Sequence, residues 1–67
     1  MKLNKQKLCV AMARSCVISK DLQQKSGLPK ATYIRALTGK NVRPATIGKI
    51  AKALGVPVEN LIDMEGD

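Results

Sequence analysis

The chain has 67 residues and a formal net charge of +7, with no histidine and Tyr33 as its one aromatic residue. A chain this short has room for a single small core, because it buries only about 60% of the surface that its unfolded form exposes. No apolar run approaches the ~18 residues of a membrane-spanning helix, so we expect one domain over residues 1–67 and no membrane partner.

The basic residues are concentrated in the body of the chain. All 12 lysines and arginines precede residue 59. In this part of the chain, before residue 59, Asp21 is the only acidic residue. The other carboxylates fall near the end of the sequence, at Glu59, Asp63, Glu65 and Asp67. This distribution attracts polyanions such as nucleic acids, although solvated lysines also keep small proteins soluble. Charge alone therefore leaves both interpretations open.

Catalysis and metal binding find little support in the composition. Without histidine, and with Asp21 the only carboxylate before residue 59, no serine has an evident general base. Cys9 and Cys16 lie seven residues apart in one helical segment, roughly 10 Å along its axis, beyond the ~7 Å limit for a disulfide. We therefore expect no enzyme activity, no metal, no cofactor, and two buried cysteines in a reducing cytoplasm.

The hydrophobic pattern predicts an all-α chain, because no alternating run of β-branched residues is long enough for a strand. The predicted helices cover residues 3–14, 19–25, 29–38, 44–54 and 58–63, and an acidic tail follows at 64–67. Leu8, Ala11 and Met12 share one face of the first helix. The fourth helix has the clearest 3.6-residue period, which is set by Ile47, Ile50, Ala51 and Leu54.

Serine, glycine and proline mark the ends of these helices. Ser19 is predicted to cap the second helix, and Asp21 lies in its first turn, where a carboxylate suits the helix dipole. Gly27 is expected to end the second helix in the left-handed conformation, and Gly55 is expected to end the fourth. Pro44 fits the first turn of the fourth helix, because that turn needs no amide donor.

The order and spacing of these residues resemble the lambda-repressor-like, or XRE, helix-turn-helix family. The matching features are Leu22 with Gly27 five positions later, Gly39, Arg43-Pro44 and the segment IAKALGVPVENLI at 50–62. The resemblance covers nearly the whole chain. It implies a compact five-helix DNA-binding domain, all-α, in which the second and third helices form the helix-turn-helix.

The resemblance also assigns DNA contacts by position. The family's base-reading positions at the start of the third helix fall on Lys30, Ala31, Thr32 and Arg35. Lysine and arginine donate to guanine O6 and N7, and alanine contacts the methyl group of thymine. The phosphate-binding positions fall on Ser19, at the entry to the second helix, and on Lys40, Asn41 and Arg43 in the loop after the third. For Ser19, helix capping competes equally with phosphate binding.

Three positions depart from the family pattern: Ile18, Gln23 and Leu37. The first stands where the family prefers a capping serine or asparagine, and the other two lie where the second and third helices meet. The family frame buries Tyr33 and Ala36, whereas hydrophobic periodicity alone also favours Ile34 in the core. Ile34 is therefore assigned either to the core or to a methyl-reading contact in the DNA groove.

These features imply a transcriptional regulator, and we expect a repressor that binds an inverted-repeat operator in double-stranded DNA as a homodimer. The resemblance implies a dimer surface at the last helix, formed by Val58, Leu61, Ile62 and Met64. The alternative is that the first three of these residues cover the monomer's own core.

The second candidate function is a protein-interaction module, antitoxin-like or specific for an antirepressor or polymerase. The expected compartment is the cytoplasm of a bacterium or of a phage-infected cell.

Overall fold

A computed structural model describes residues 1–63, which form four α-helices and a short 3₁₀ helix. The helices are α1 (Lys5–Ser15), α2 (Ser19–Ser26), α3 (Lys30–Leu37) and α4 (Pro44–Leu54), and the 3₁₀ helix spans Val58–Asn60. No strand occurs within these residues, which confirms the all-α prediction for them. None of these helices is long and apolar enough to cross a membrane. The tail predicted at 64–67 lies outside the described residues.

The fifth α-helix, predicted at 58–63, is reduced to the single 3₁₀ turn. The Leu61 N–H donates to the Val58 carbonyl at 2.8 Å, and the Leu61 carbonyl accepts the Asn4 N–H at 2.7 Å. The Leu61 carbonyl therefore accepts its hydrogen bond from the residue that precedes α1. It does not act as the acceptor for another turn of the helix that begins at Val58. The five-helix count is therefore corrected to four α-helices and a 3₁₀ turn.

The first helix begins at Lys5, two residues later than predicted, because Asn4 caps it. The Asn4 side chain accepts a hydrogen bond from the Lys7 N–H at 3.0 Å, as a capping residue does. Leu8 and Ala11 are buried on the predicted face of this helix. The helix ends at Ser15, and Cys16 after it adopts the left-handed conformation with φ 54°.

The second helix begins at Ser19, so the predicted capping role of this residue is wrong. The N-cap position is Ile18, which contributes no side-chain hydrogen bond, and Ser19 is the first helical residue. Asp21 lies in the first turn as predicted. Gly27 ends the helix with φ 70°, which confirms the predicted left-handed cap between α2 and α3.

The fourth helix is the centre of the packing, because α1, α2, α3 and the 3₁₀ helix all contact it. The residues that set its 3.6-residue period are buried as predicted: Ile47, Ile50, Ala51 and Leu54. Ile47 and Ile50 are fully covered. The helix-turn-helix of α2 and α3 is thus supported from behind by α4.

The segment after the 3₁₀ helix packs into the same core. Leu61 is 0% exposed and Ile62 is 7% exposed, whereas Val58 is half-buried. The Lys7 Nζ donates to the Ile62 carbonyl at 2.7 Å and lies 3.5 Å from an Asp63 carboxylate oxygen. This burial favours the alternative in which Leu61 and Ile62 cover the monomer core. Met64, the remaining residue of the predicted dimer surface, lies outside the described residues.

The prediction of buried cysteines is wrong, since Cys9 and Cys16 are both exposed and free. The buried stripe of α1 is narrow and passes through Leu8 and Ala11. Cys9 is turned about 100° from Leu8 around the helix axis, and Cys16 lies in the turn that follows the helix.

The same substitution at two glycines is expected to change stability in opposite directions. Gly55 has φ 71° at the end of α4, a conformation that costs a non-glycine residue about 1–2 kcal/mol. Gly48 lies inside α4, and a Cβ placed there meets no atom within 4 Å. Gly48→Ala should therefore raise the free energy of unfolding by about 0.5–1 kcal/mol, and Gly55→Ala should lower it by about 1–2 kcal/mol. Urea unfolding measures both values, and shifts of the same sign would contradict this account.

Candidate nucleic-acid interface

Helix α3 has one buried face and one face in solvent. Tyr33 and Ala36 are buried, as the family frame requires, and Leu37 packs partly against the core. Ile34 is 47% exposed, so it belongs to the surface and not to the core. The outer face carries the predicted base-reading residues, of which Thr32 is half-buried and the others are exposed: Lys30, Ala31 and Arg35.

Two predicted base-reading residues and two predicted phosphate-binding residues share one groove. Thr32 and Arg35 line it from α3, and Asn41 and Arg43 line it from the following loop. The Arg35 Nε donates to the Asn41 carbonyl at 3.4 Å, which links the helix to the loop. Three further candidates are exposed but do not line this groove: Lys30, Ala31 and Lys40. In the sequence they lie close to residues that do.

The loop that carries Asn41 is held by the first residue of the chain. The Met1 amino group donates to Asn41 Oδ1 at 2.8 Å and to the Val42 carbonyl at 3.0 Å. The Val42 N–H returns a bond to the Met1 carbonyl at 2.9 Å. The sequence analysis missed Met1, since no local motif marks a contact across 40 positions. Because Oδ1 is used as the acceptor, the Nδ2 group of Asn41 remains a donor.

The Tyr33 hydroxyl joins α3 to the first residue of α2. It donates to the Ser19 carbonyl at 3.0 Å and lies 2.9 Å from Ser19 Oγ. A tyrosine hydroxyl carries one proton, so Ser19 Oγ must donate its own proton to the Tyr33 oxygen. Sequence analysis counted Tyr33 only as core; the signal it passed over is a phenol at a buried position, which normally requires a hydrogen-bond partner.

Side chains of α2 also hold the turn that leads to α3. Gln23 Nε2 donates to the Leu28 carbonyl at 2.9 Å. Ser26 Oγ donates to the Gln23 carbonyl at 2.8 Å and accepts the Leu28 N–H at 3.3 Å. Gln23, a departure from the family pattern, is therefore bonded to the turn it precedes. Within residues 1–63, every buried side-chain nitrogen and oxygen has a partner.

The electrostatics of this region are uniformly positive. Residues 22–58 contain no acidic residue. The basic side chains of α3 and its following loop are all exposed: Lys30, Arg35, Lys40 and Arg43. In the described part of the chain, no three potential metal-ligating side chains come together. The chemistry available at this surface is hydrogen-bond donation to an anionic or carbonyl-rich partner.

Tyr33→Phe should lower stability through loss of the two contacts to Ser19. Removal of the hydroxyl leaves the Ser19 carbonyl without this donor, at a cost of about 1 kcal/mol. For a domain of this size we expect a fall in Tm of about 4–8 °C. Thermal unfolding by circular dichroism measures the effect. Ser19→Ala removes only one of the two bonds and should cost less; a larger loss from Ser19→Ala than from Tyr33→Phe would contradict the assignment.

A protein-family model matches most of the chain. The model of the Cro/C1-type helix-turn-helix DNA-binding domain matches residues 7–67. No curated protein and no solved structure gives a significant match. The matched range includes α2, the turn at Gly27, α3 and the loop that completes the groove. The chain therefore belongs to the Cro/C1-type helix-turn-helix DNA-binding family.

Proposed function

We propose that this protein is a sequence-specific transcriptional regulator, a repressor that places α3 in the major groove of an operator and excludes polymerase from the promoter. The observation that carries the proposal is the groove in which Thr32 and Arg35 lie beside Asn41 and Arg43. An α-helix fits the width of the major groove, and a loop beside it meets the phosphate backbone. The cytoplasm of a bacterium or phage-infected cell is the compartment that this role requires.

Arg35 is the principal base-reading residue in this proposal. A guanidinium group has five N–H donors in a rigid fork, and Nε already contacts the Asn41 carbonyl. The terminal amino groups remain for guanine O6 and N7, the commonest specific contact in the major groove. Lys30 supplies a second donor in the first turn of α3, Thr32 serves base or phosphate, and Ala31 contacts a thymine methyl group.

The loop after α3 acts as a clamp on the phosphate backbone. Lys40 and Arg43 are exposed cations, and Asn41 offers its Nδ2 group. Contacts to phosphate carry no sequence information, but they set the register of the helix in the groove. Each phosphate that is neutralised releases counterions, so this part of the affinity falls as salt rises.

The entry to α2 supplies a further phosphate contact through its main chain. The proton of Ser19 Oγ is engaged by Tyr33, so the hydroxyl is a poor donor to phosphate. The first amides of a helix lack intrahelical acceptors, and Ile18 provides no side-chain cap for those of α2. We therefore assign the contact at Ser19 to backbone N–H groups, which favour anions at a helix N-terminus.

A homodimer remains part of the proposal on the strength of the family resemblance. A twofold dimer reads half-sites about 34 Å apart, one turn of the DNA helix. Leu61 and Ile62 are already covered within the monomer, so a dimer contact at the 3₁₀ helix would use half-buried Val58 and its exposed neighbours Glu59 and Asn60.

Selection of bound sites from a random duplex pool at about 150 mM salt tests the proposal. We expect enrichment of an inverted repeat, because a twofold dimer reads the same half-site on each strand. Absence of any enriched sequence, together with a steep loss of all binding as salt rises, would contradict the regulator and favour the protein-interaction module.

Arg35→Ala should relax the preference at one base pair of each half-site. A bidentate contact to guanine contributes about 1–3 kcal/mol of discrimination against other bases. The substituted side chain is exposed, so the fold should be retained. Fluorescence anisotropy with every single-base variant of the selected duplex measures the change. A variant that keeps the same base preferences would show that Arg35 is not the reading residue.

Lys40→Ala should weaken binding to all sequences alike and reduce the slope of log K against log salt by about 1. The reason is the loss of one phosphate contact and of its counterion release. Lys52→Ala is the matched control, because it removes the same charge from an exposed position near the end of α4, away from the loop that follows α3. Equal effects of the two substitutions on the salt slope would argue against a phosphate clamp at Lys40.

A further inference from the structure

Ile34 is an apolar side chain on the outer face of α3. Its neighbours Tyr33 and Ala36 are buried, but 47% of Ile34 is exposed. Residues three and four positions apart lie next to each other on a helix surface. Ile34 therefore lies one turn beyond Ala31 and Lys30, on the same side of the helix. This side carries two of the four proposed base-reading residues, whereas Arg35 and Thr32 lie roughly 100° or more further round the helix axis, where they line the groove.

The monomer offers no packing role for this side chain. Ile34 is absent both from the buried core and from the hydrophobic residues that pack partly against it. Among residues 1–63 the large exposed apolar side chains are Met1, Val10, Ile18 and Ile34, and Ile34 is the one that lies on α3. A single exposed isoleucine needs no explanation on a general surface, but on a helix proposed to enter the major groove it meets the edges of bases.

We propose that Ile34 is a specificity-determining residue that contacts the 5-methyl group of a thymine in the operator. This inference rests on the proposed function and adds an apolar reader to it. The thymine methyl is the one apolar group that base pairs present in the major groove. A β-branched side chain in a helix occupies essentially one χ1 rotamer, so little side-chain freedom is lost on contact.

The same contact discriminates against cytosine. Cytosine carries a hydrogen in place of the thymine methyl and an N4 amino group in place of the O4 carbonyl. An isoleucine side chain offers neither a donor nor an acceptor, so it pairs with neither polar group, and the methyl contact alone distinguishes the two bases. Ile34 therefore favours thymine through apolar contact with its methyl group. Its selectivity is independent of the donors on Arg35 and Lys30.

The test replaces each thymine of the selected operator in turn with deoxyuridine, which removes only the methyl group. For the wild-type protein we expect one thymine per half-site at which this change weakens binding about threefold to tenfold, as loss of a buried methyl contact should. Ile34→Ala should bind the unmodified operator more weakly by a similar factor and should be insensitive to uracil at that position. The substitution lies at an exposed position, so the helix should be retained.

Val10→Ala is the matched control, since Val10 is an exposed apolar residue of α1. It should keep both the wild-type affinity and the wild-type response to uracil. If Ile34→Ala loses affinity but responds to every uracil substitution as the wild type does, or loses no affinity, the inference is overturned while the regulator stands. If the wild-type protein selects no sequence at all, the proposed function fails and the inference fails with it.

Discussion

The burial of α4 is the constraint on which the rest of the structure depends. Ile47 and Ile50 are fully covered, and every other helix contacts α4. A chain of this length can build only one core, so the positions of α2 and α3 are set by packing against this single apolar face. The segment at Leu61 and Ile62 closes the same core through its bonds to Asn4 and Lys7.

Hydrogen bonds at the seam between α2 and α3 define the relation of the two helices. The apolar core brings the helices together, but apolar contact is non-directional and tolerates small rotations. The Tyr33 hydroxyl binds Ser19 at one end of the seam, and Gln23 and Ser26 bind Leu28 at the turn. These bonds have narrow geometric requirements, so they restrict the angle at which α3 is presented. The departure from the family pattern at Gln23 thus adds a bond to the turn.

The groove beside α3 couples base reading to phosphate binding. Arg35 contacts the carbonyl of Asn41, and the side chain of Asn41 is held by the amino group of Met1. Arg35 and the loop are therefore parts of one connected surface. In the proposed complex, phosphate contacts made by the loop orient the arginine, while Ile34 supplies an apolar contact from the neighbouring side of α3. Affinity then comes mainly from charge, and specificity from a small number of side chains on α3.

Much of the fold could be predicted from local sequence signals. The positions of Gly27, Gly55 and Pro44 determine where α2 and α4 end or begin, because left-handed φ values and a missing amide donor are properties of single residues. The 3.6-residue period of α4 determined its buried face, and the spacing of these features was enough to predict the family.

Tertiary structure decided the features that depend on contacts between residues distant in sequence. It reduced the last helix to a 3₁₀ turn, exposed both cysteines and Ile34, and joined Ser19 to Tyr33 and Met1 to Asn41. Periodicity records which residues are apolar, but only the packed chain determines which of several apolar side chains a small core can cover.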